Sequence, residues 1–254
     1  MTIPPFEEVP ALEESVGPHT ERQRLEAIAE DSWYGKGVNA LTIRYSFRIF
    51  SRHWRKGTCL ELGPAEGLMT DELARHFSAL TVVEGAAPFC ENLRKRHPSV
   101  KVVHSLFEDY RPEGTFDNIV LGHVLEHVAD PVALLRKVAG WLAPNSRVFA
   151  AVPNARSIHR QMAVLMGILE SEHSLNATDL HHGHRRVYDP ESLRGDFLKA
   201  GLRAEVFGGY WLKPLSNAQL DATWDEPMLL AAMEVGERYP DVAAEIYVVA
   251  GRDR

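Results

Sequence analysis

The sequence predicts an α/β protein with a doubly wound sheet of seven strands. Short apolar runs with strand character alternate with helical patterns through residues 57–152, which indicates a parallel sheet joined by right-handed crossovers. A tight turn of small residues, 63–67, connects the first apolar run to the first of these helical patterns. The second apolar run ends on an acid, Glu84. A glycine turn and an acid in these places are typical of Rossmann-like sheets.

The predicted elements follow one another in a regular order. The strands are residues 57–62, 79–84, 100–104, 116–122, 146–152, 202–207 and 243–250. Helical patterns cover 68–77, 88–97, 131–142 and 156–170, and a further helix opens at Asp189-Pro190 and runs to Lys199. Proline fits the first helical position because its missing N–H would have no intrahelical partner there.

Two long connections and an aromatic segment surround the predicted sheet. Residues 153–187 and 208–241 leave the carboxyl ends of the fifth and sixth strands, where open sheets bind their ligands. Both exceed an ordinary connection, so we expect them to form a cap over a substrate. They could instead cover a sheet edge or form a homodimer contact. We expect residues 1–50 to be a helical lid segment, with aromatic residues in 33–50, ahead of one large domain over 51–254.

Composition excludes several classes of protein. No apolar run approaches the roughly 18–20 residues of a membrane span, and the acidic, proline-bearing N-terminus is unlike a secretory signal. The net charge of −7 argues against a broad nucleic-acid surface. The two cysteines, Cys59 and Cys90, have no disulfide or metal spacing. A cytoplasmic protein with reduced core thiols is therefore expected.

The glycine turn has a spacing of its own. Glu61, Gly63 and Gly67 form Glu-x-Gly-x-x-x-Gly, so the dinucleotide pattern Gly-x-Gly-x-x-Gly is not met. Residues 116–128 and 146–154 then follow as an acid-bearing strand with its loop and as a later strand. With these motifs, residues 57–154 resemble the class I S-adenosylmethionine (SAM) dependent methyltransferases, in particular their small-molecule branch. Ala65 stands where that family usually has a middle glycine.

The resemblance implies a fold, a cofactor and a set of binding residues. The last of seven strands should be antiparallel, and the cofactor should be SAM. Glu84 should bind the ribose hydroxyls, Glu61 should lie near the amino acid end, and Glu108 with Phe107 should lie near the adenine. The residues expected to contact the cofactor are Glu61, Gly63, Pro64, Ala65, Gly67, Glu84, Gly85, Phe107, Glu108, Gly122 and His123.

Imidazoles and arginines mark the acceptor side. His123 and His127 follow the fourth strand, and His182 and His184 lie in the insert beside Arg185 and Arg186. Imidazole accepts a proton near neutral pH, so the four histidines are the candidate catalytic groups. The arginines could bind an anionic acceptor or pair with nearby acids. No acid cluster accompanies the histidines in sequence, so no metal is predicted. The expected acceptor-binding residues are Tyr34, Arg185, Arg186, Tyr210 and Trp211.

The predicted reaction is methyl transfer from SAM to oxygen or nitrogen of a small molecule, such as a sugar or a secondary metabolite. An RNA methyltransferase would share the fold but would bind RNA with a steep salt dependence. A nicotinamide oxidoreductase would need the glycine pattern that is missing here. A cofactor-binding regulator without catalysis also fits the motifs.

Overall fold

The computed structural model describes residues 19–32 and 34–252. Its strands are β1 Cys59–Leu62, β2 Leu80–Glu84, β3 Lys101–His104, β4 Phe116–Gly122, β5 Leu142–Pro153, β6 Leu202–Tyr210 and β7 Glu245–Arg252. Its helices are α1 His19–Glu30, α2 Gly37–Ser51, α3 Leu68–His76, α4 Ala87–Arg96, α5 Pro131–Trp141, α6 Ile158–Leu165, α7 Ala177–His181, α8 Pro190–Lys199, α9 Asn217–Thr223 and α10 Glu226–Gly236. Residues 1–18 of the predicted lid, and Trp33 of its aromatic segment, lie outside the described residues.

The seven strands form one sheet in the order β3-β2-β1-β4-β5-β7-β6. All neighbours are parallel except β7, which is antiparallel to both β5 and β6. The predicted doubly wound sheet with an antiparallel last strand is therefore confirmed. The strand order reverses between β1 and β4, and such a reversal opens a crevice at the carboxyl ends of the strands.

Two apolar clusters cover the two faces of the sheet. Alternate residues of each strand point to opposite faces, so Leu60 and Ile119 join one cluster while Cys59 and Val120 join the other. Both faces of the central strands are buried, which explains why these strands are nearly continuous apolar runs. Cys59 and Cys90 are buried unpaired thiols.

Local signals fix the start of two helices next to the sheet. The Asp130 side chain accepts a hydrogen bond from the Ala133 N–H at the start of α5, and Pro131 takes the first helical position. Asp189 and Ser192 form a capping box at the start of α8. None of the helices in the described part of the chain is long and apolar enough to cross a bilayer.

Several elements differ from the sequence prediction, most clearly in the two inserts. The predicted helix 156–170 is shorter, because α6 ends at Leu165 and Gly167 adopts a left-handed φ of 70°. The predicted connection 153–187 contains a second, short helix, α7. The predicted sixth strand, 202–207, extends to Tyr210, so the second insert leaves the sheet at Trp211 and not at residue 208.

Two glycines explain why the sequence pattern predicts an end of β6 at residue 207 and not at Tyr210. A pair of glycines weakens a strand prediction, but both residues pair with β7 here. A Cβ on Gly208 would lie 2.6 Å from the ring of Tyr247, and one on Gly209 would lie 2.8 Å from the carbonyl oxygen of Pro240. The strand therefore needs glycine for close packing.

Candidate active site

A pocket opens at the carboxyl ends of β1, β2 and β4, beside the reversal of strand order. Its empty volume, with the mouth open to solvent, is about 1150 Å³. All the residues predicted to contact the cofactor line it: Glu61, Gly63, Pro64, Ala65, Gly67, Glu84, Gly85, Phe107, Glu108, Gly122 and His123. The pocket is large enough for a nucleoside joined to an amino acid.

The turn after β1 has an unusual backbone. Gly63, Ala65 and Gly67 have φ of 65°, 47° and 80°. The first and last can adopt these angles because they lack a Cβ, while Ala65 adopts its angle at a steric cost. A Cβ on Gly63 would lie 3.0 Å from Val124 Cγ2 and 3.4 Å from Phe107 Cζ. Glycine at 63 thus keeps this side of the pocket open.

Glu84 is a fixed acid in the wall of the pocket. Its Oε2 accepts a hydrogen bond from the Ala65 N–H at 3.1 Å, and its Oε1 accepts one from the Ala86 N–H at 2.8 Å. Burial raises the pKa of this carboxyl against those two hydrogen bonds. Each oxygen retains acceptor capacity, so the side chain can also accept hydrogen bonds from a pair of ligand hydroxyls.

Glu61 is the second buried acid of the pocket. The Thr70 hydroxyl donates a hydrogen bond to its Oε2 at 2.6 Å. Burial nevertheless raises the pKa of Glu61 to about 8. A cationic ligand group beside it would stabilise the ionised form.

The residues after β3 and at the end of β4 complete the cofactor side. Phe107 is half-buried and Glu108 is exposed at the rim. Gly122 ends β4, and a Cβ there would lie 3.6 Å from Met69 Cε. This part of the pocket offers an aromatic ring, a carboxylate and an unobstructed backbone.

His123 is the first histidine of the acceptor side. It has a left-handed φ of 57°. Its Nδ1 lies 3.4 Å from Glu126 Oε1 and 3.8 Å from Glu245 Oε2. Burial lowers the pKa of His123, but these two carboxylates outweigh burial and the net pKa is raised. Its Nε2 is buried without a hydrogen-bond partner among the described residues.

His127 and His182 line the same pocket together with Tyr34. The Tyr34 hydroxyl donates to the carbonyl oxygen of His182 at 3.2 Å and lies 3.5 Å from His127 Nε2. Burial lowers the pKa of His127 to about 3 and that of His182 to about 4. Both rings are therefore neutral at pH 7, and this wall is polar but uncharged.

His184 does not line the pocket and packs behind His127. The two ring centroids are 4.7 Å apart, and His184 Nδ1 lies 3.4 Å from Asp179 Oδ1. Glu126, His127 and His184 bring one oxygen and two ring nitrogens within 4.8 Å of one another. The acid that the sequence pattern did not associate with the insert histidines is thus Glu126. The predicted absence of a metal stays a prediction.

The two insert arginines do not line the pocket. They bond to other segments of the chain. Arg185 donates to the carbonyl oxygen of His127 at 2.9 Å and pairs with Glu21 at 2.7 Å. Arg186 donates to carbonyl oxygens of the segment that follows β4, at 2.9 Å for Leu125. These charged groups are already engaged, which differs from the predicted contact with an acceptor.

Tyr210 and Trp211 are also placed away from the pocket. Both are fully buried in the core cluster that contains Cys59. The Tyr210 ring stacks on Tyr45 with centroids 5.4 Å apart, and its hydroxyl lies 2.7 Å from Ser46 Oγ. The extra residues of β6 carry Tyr210 into the core, and Trp211 follows it directly, in contrast to the predicted acceptor contact.

Helix α1, part of the predicted lid segment, supplies a wall of the pocket through residues that the sequence prediction did not single out. Glu21, Arg24, Leu25 and Ile28 all line it. Arg24 donates to the carbonyl oxygen of Gly183 at 2.9 Å, so α1 is bound to the histidine-bearing insert. The only signal in the sequence is the spacing of Leu25 and Ile28 on one helical face.

Comparison with known proteins identifies the class of protein that this fold and pocket define. Residues 38–205 match the protein family described as "Methyltransferase domain". The chain belongs to this family, and it is a SAM-dependent methyltransferase.

Relatives and solved structures agree with this assignment. The chain is 27% identical over 215 residues to a ubiquinone biosynthesis O-methyltransferase of Pseudoalteromonas translucida, covering 78% of this chain and 88% of that protein. The corresponding protein of Xanthomonas euvesicatoria is 26% identical over 211 residues, covering 78% and 86%.

Solved structures of methyltransferases share the fold. An S-adenosylmethionine dependent methyltransferase from Mesorhizobium loti has a TM-score of 0.61 at 16% identity, covering 85% of this chain and all of that one (100%). The CcbJ methyltransferase of Streptomyces caelestis has a TM-score of 0.62 at 15% identity, covering 91% and 98%. The N-methyltransferase NodS of Bradyrhizobium japonicum, solved with S-adenosyl-L-homocysteine (SAH), has a TM-score of 0.60 at 14% identity, covering 92% and 98%.

Proposed function

We propose that this enzyme methylates a hydroxyl oxygen of a small molecule, such as a sugar or a secondary metabolite. The observation that carries the proposal is the position of His123. Its ring lines the same pocket as Glu84 and the glycine turn, and its Nε2 has no hydrogen-bond partner among the described residues. His123 therefore borders the proposed cofactor site, with one ring nitrogen that no described residue engages.

The residues on the cofactor side fit SAM. Glu84 presents two fixed carboxylate oxygens for the ribose hydroxyls, and the turn 63–67 allows the backbone to approach the nucleoside. Glu61 would face the cationic amino acid end, and Phe107 with Glu108 would border the adenine. When bound, SAM supplies a methyl group on a positively charged sulfur.

The imidazole favours oxygen as the acceptor atom. A hydroxyl is a weak nucleophile until it loses its proton, whereas an amine can attack once it is deprotonated in solution. His123 would take that proton at Nε2 while the neutral rings of His127 and His182 and the Tyr34 hydroxyl orient the acceptor. The protein would also hold the two reactants in line and exclude water, which contributes much of the rate. The relatives named ubiquinone biosynthesis O-methyltransferases add support for oxygen.

The test is a SAH-release assay with SAM and a panel of acceptors in which matched hydroxyl and amine compounds share a scaffold. We expect turnover with a hydroxyl compound. His123→Ala should lower kcat by about 100-fold or more, the usual contribution of a general base, and this loss should exceed any loss of SAH affinity.

His173→Ala is the control, since this histidine lies in the insert 153–187, is exposed and pairs with Asp189. Its turnover should equal that of the wild type. Turnover with amines alone, or full activity of His123→Ala on a hydroxyl acceptor, would refute the proposal.

A further inference from the structure

A second buried acid lies behind His123, on the side away from the pocket. Glu245 is the first residue of β7, between Pro153 of β5 and Tyr210 of β6. Its side chain is 10% exposed, although the next residues of β7 are apolar and buried. A buried carboxylate is costly unless a partner compensates for it, so this position needs an explanation beyond packing.

The carboxylate of Glu245 points at one nitrogen of His123. Its Oε2 lies 3.8 Å from Nδ1 and has no hydrogen-bond partner among the described residues. Glu126 Oε1 lies 3.4 Å from the same nitrogen. Two carboxylates therefore face Nδ1. The other ring nitrogen, Nε2, has no hydrogen-bond partner among the described residues.

We propose that Glu245 is a positioning residue for His123, an inference that rests on the proposed function. Together with Glu126, its carboxylate favours a proton on Nδ1, so that the lone pair is on Nε2. It also stabilises the imidazolium that forms when Nε2 takes the proton of the acceptor hydroxyl. The electron pair left on the acceptor oxygen then forms the new C–O bond with the methyl carbon. The C–S bond breaks at the same time, its electron pair stays on sulfur, and SAH is released.

The division of work between the two acids follows from their surroundings. Glu126 is in the loop after β4, and the rings of His127 and His184 lie beside it as well as that of His123. Glu245 is held by strand pairing on both sides, so its position does not depend on a loop. The sheet therefore gives His123 a rigid partner that the loop alone would not provide.

Lys213 faces Glu245 from the segment after β6. It is buried and forms no hydrogen bond or ion pair within the described residues; its Nζ lies 4.8 Å from the ring centroid of Trp211. Burial lowers the pKa of Lys213 to about 8 and raises that of Glu245 to about 7. The ammonium thus compensates part of the charge of Glu245, which also interacts electrostatically with His123 and Glu126.

The test is NMR of 15N-histidine-labelled protein with SAH bound and no acceptor present. The His123 signal is assigned by its loss in His123→Gln, and its pKa is then measured. We expect Glu245→Gln to lower the pKa of His123 by about one unit or more, because a nearby opposite charge is removed. Glu245→Asp keeps the charge and should give a pKa between those of Glu245→Gln and the wild type.

Glu205→Gln is the matched control, since this acid of β6 pairs with Arg147 on the surface. It should leave the His123 pKa unchanged. An unchanged pKa in Glu245→Gln would overturn the inference, since a packing residue would have no such effect. Gln has nearly the same shape and no buried charge, so this variant is expected to fold. The measurement needs no turnover, so its failure would leave the proposed role of His123 to the acceptor assay.

Discussion

At the scale of single residues, the cofactor side of this enzyme depends on carboxylates that the backbone holds in place. Glu84 receives two backbone N–H groups, one from the turn after β1 and one from the start of α4. These hydrogen bonds orient the acid before any ligand arrives. Pre-organisation of this kind lowers the entropy that a ligand must lose on binding.

We therefore expect Glu84→Ala to weaken SAH binding by about 100-fold. Two hydrogen bonds to a charged group are lost, each worth roughly 1.5 kcal/mol or more. Isothermal titration calorimetry measures the change. Glu91→Ala, an exposed acid on α4, should bind SAH as the wild type does. Equal affinity of Glu84→Ala and wild type would remove Glu84 from the cofactor site.

The sequence predicted residues of this kind because their environment is local. A strand, a turn and a helix start place Gly63 and Glu84 at one edge of the sheet, whatever the rest of the chain does. Tyr210 and Arg185 were different. Their surroundings are made by packing between distant segments: Tyr210 stacks on α2, and Arg185 reaches α1. Sequence spacing carries no record of such contacts.

At the scale of elements, α1 joins the glycine-turn side of the pocket to the histidine-bearing insert. Its residues line the pocket, Leu25 packs close to Gly85, and Arg24 reaches the carbonyl oxygen of Gly183 in the insert. A Cβ on Gly85 would lie 2.5 Å from Leu25 Cδ1. Leu25 of α1 can therefore pack this closely because residue 85, directly after β2, is a glycine.

We expect the loss of the Arg24 contacts to loosen α1 and to speed release of the cofactor product. Arg24→Ala removes a charged donor to the carbonyl oxygens of Gly183 and His127 and the partner of Glu21. The SAH dissociation rate should rise by about tenfold, the equivalent of roughly 1.4 kcal/mol. Stopped-flow displacement of a fluorescent SAH analogue measures this rate.

Arg22→Ala tests the same helix on its exposed face. It should release the analogue at the wild-type rate, since its side chain lies away from the pocket. If both variants behave alike, the contacts of Arg24 do not hold α1 over the cofactor.

At the scale of the whole molecule, the fold buries acids of the pocket almost completely. We expect the pH dependence of the free energy of unfolding to show this burial. The two core clusters enclose the central strands, and Glu61 of the central strand β1 is only 3% exposed. The folded protein holds a proton on Glu61 up to a pKa of about 8, whereas the unfolded chain releases it near the ordinary value of 4.5. The enzyme thus keeps a costly group for the sake of its ligand.

The sign of the pH dependence follows from this raised pKa. The contribution of protonated Glu61 to the free energy of unfolding is complete below the pKa of Glu61 in the unfolded chain. It is lost as the pH rises toward and through the pKa in the folded protein, at a rate of at most about 1.4 kcal/mol per pH unit. Without cofactor, the wild-type free energy of unfolding should therefore fall between pH 5 and 8 by clearly more than that of Glu61→Gln, which has no proton to lose. Urea unfolding at a series of pH values measures both curves, with Glu91→Gln expected to follow the wild type. Parallel curves for wild type and Glu61→Gln would mean that Glu61 is already ionised in the folded enzyme. In that case a cationic ligand would find the charge in place, and binding of SAH at neutral pH would release no proton from this site.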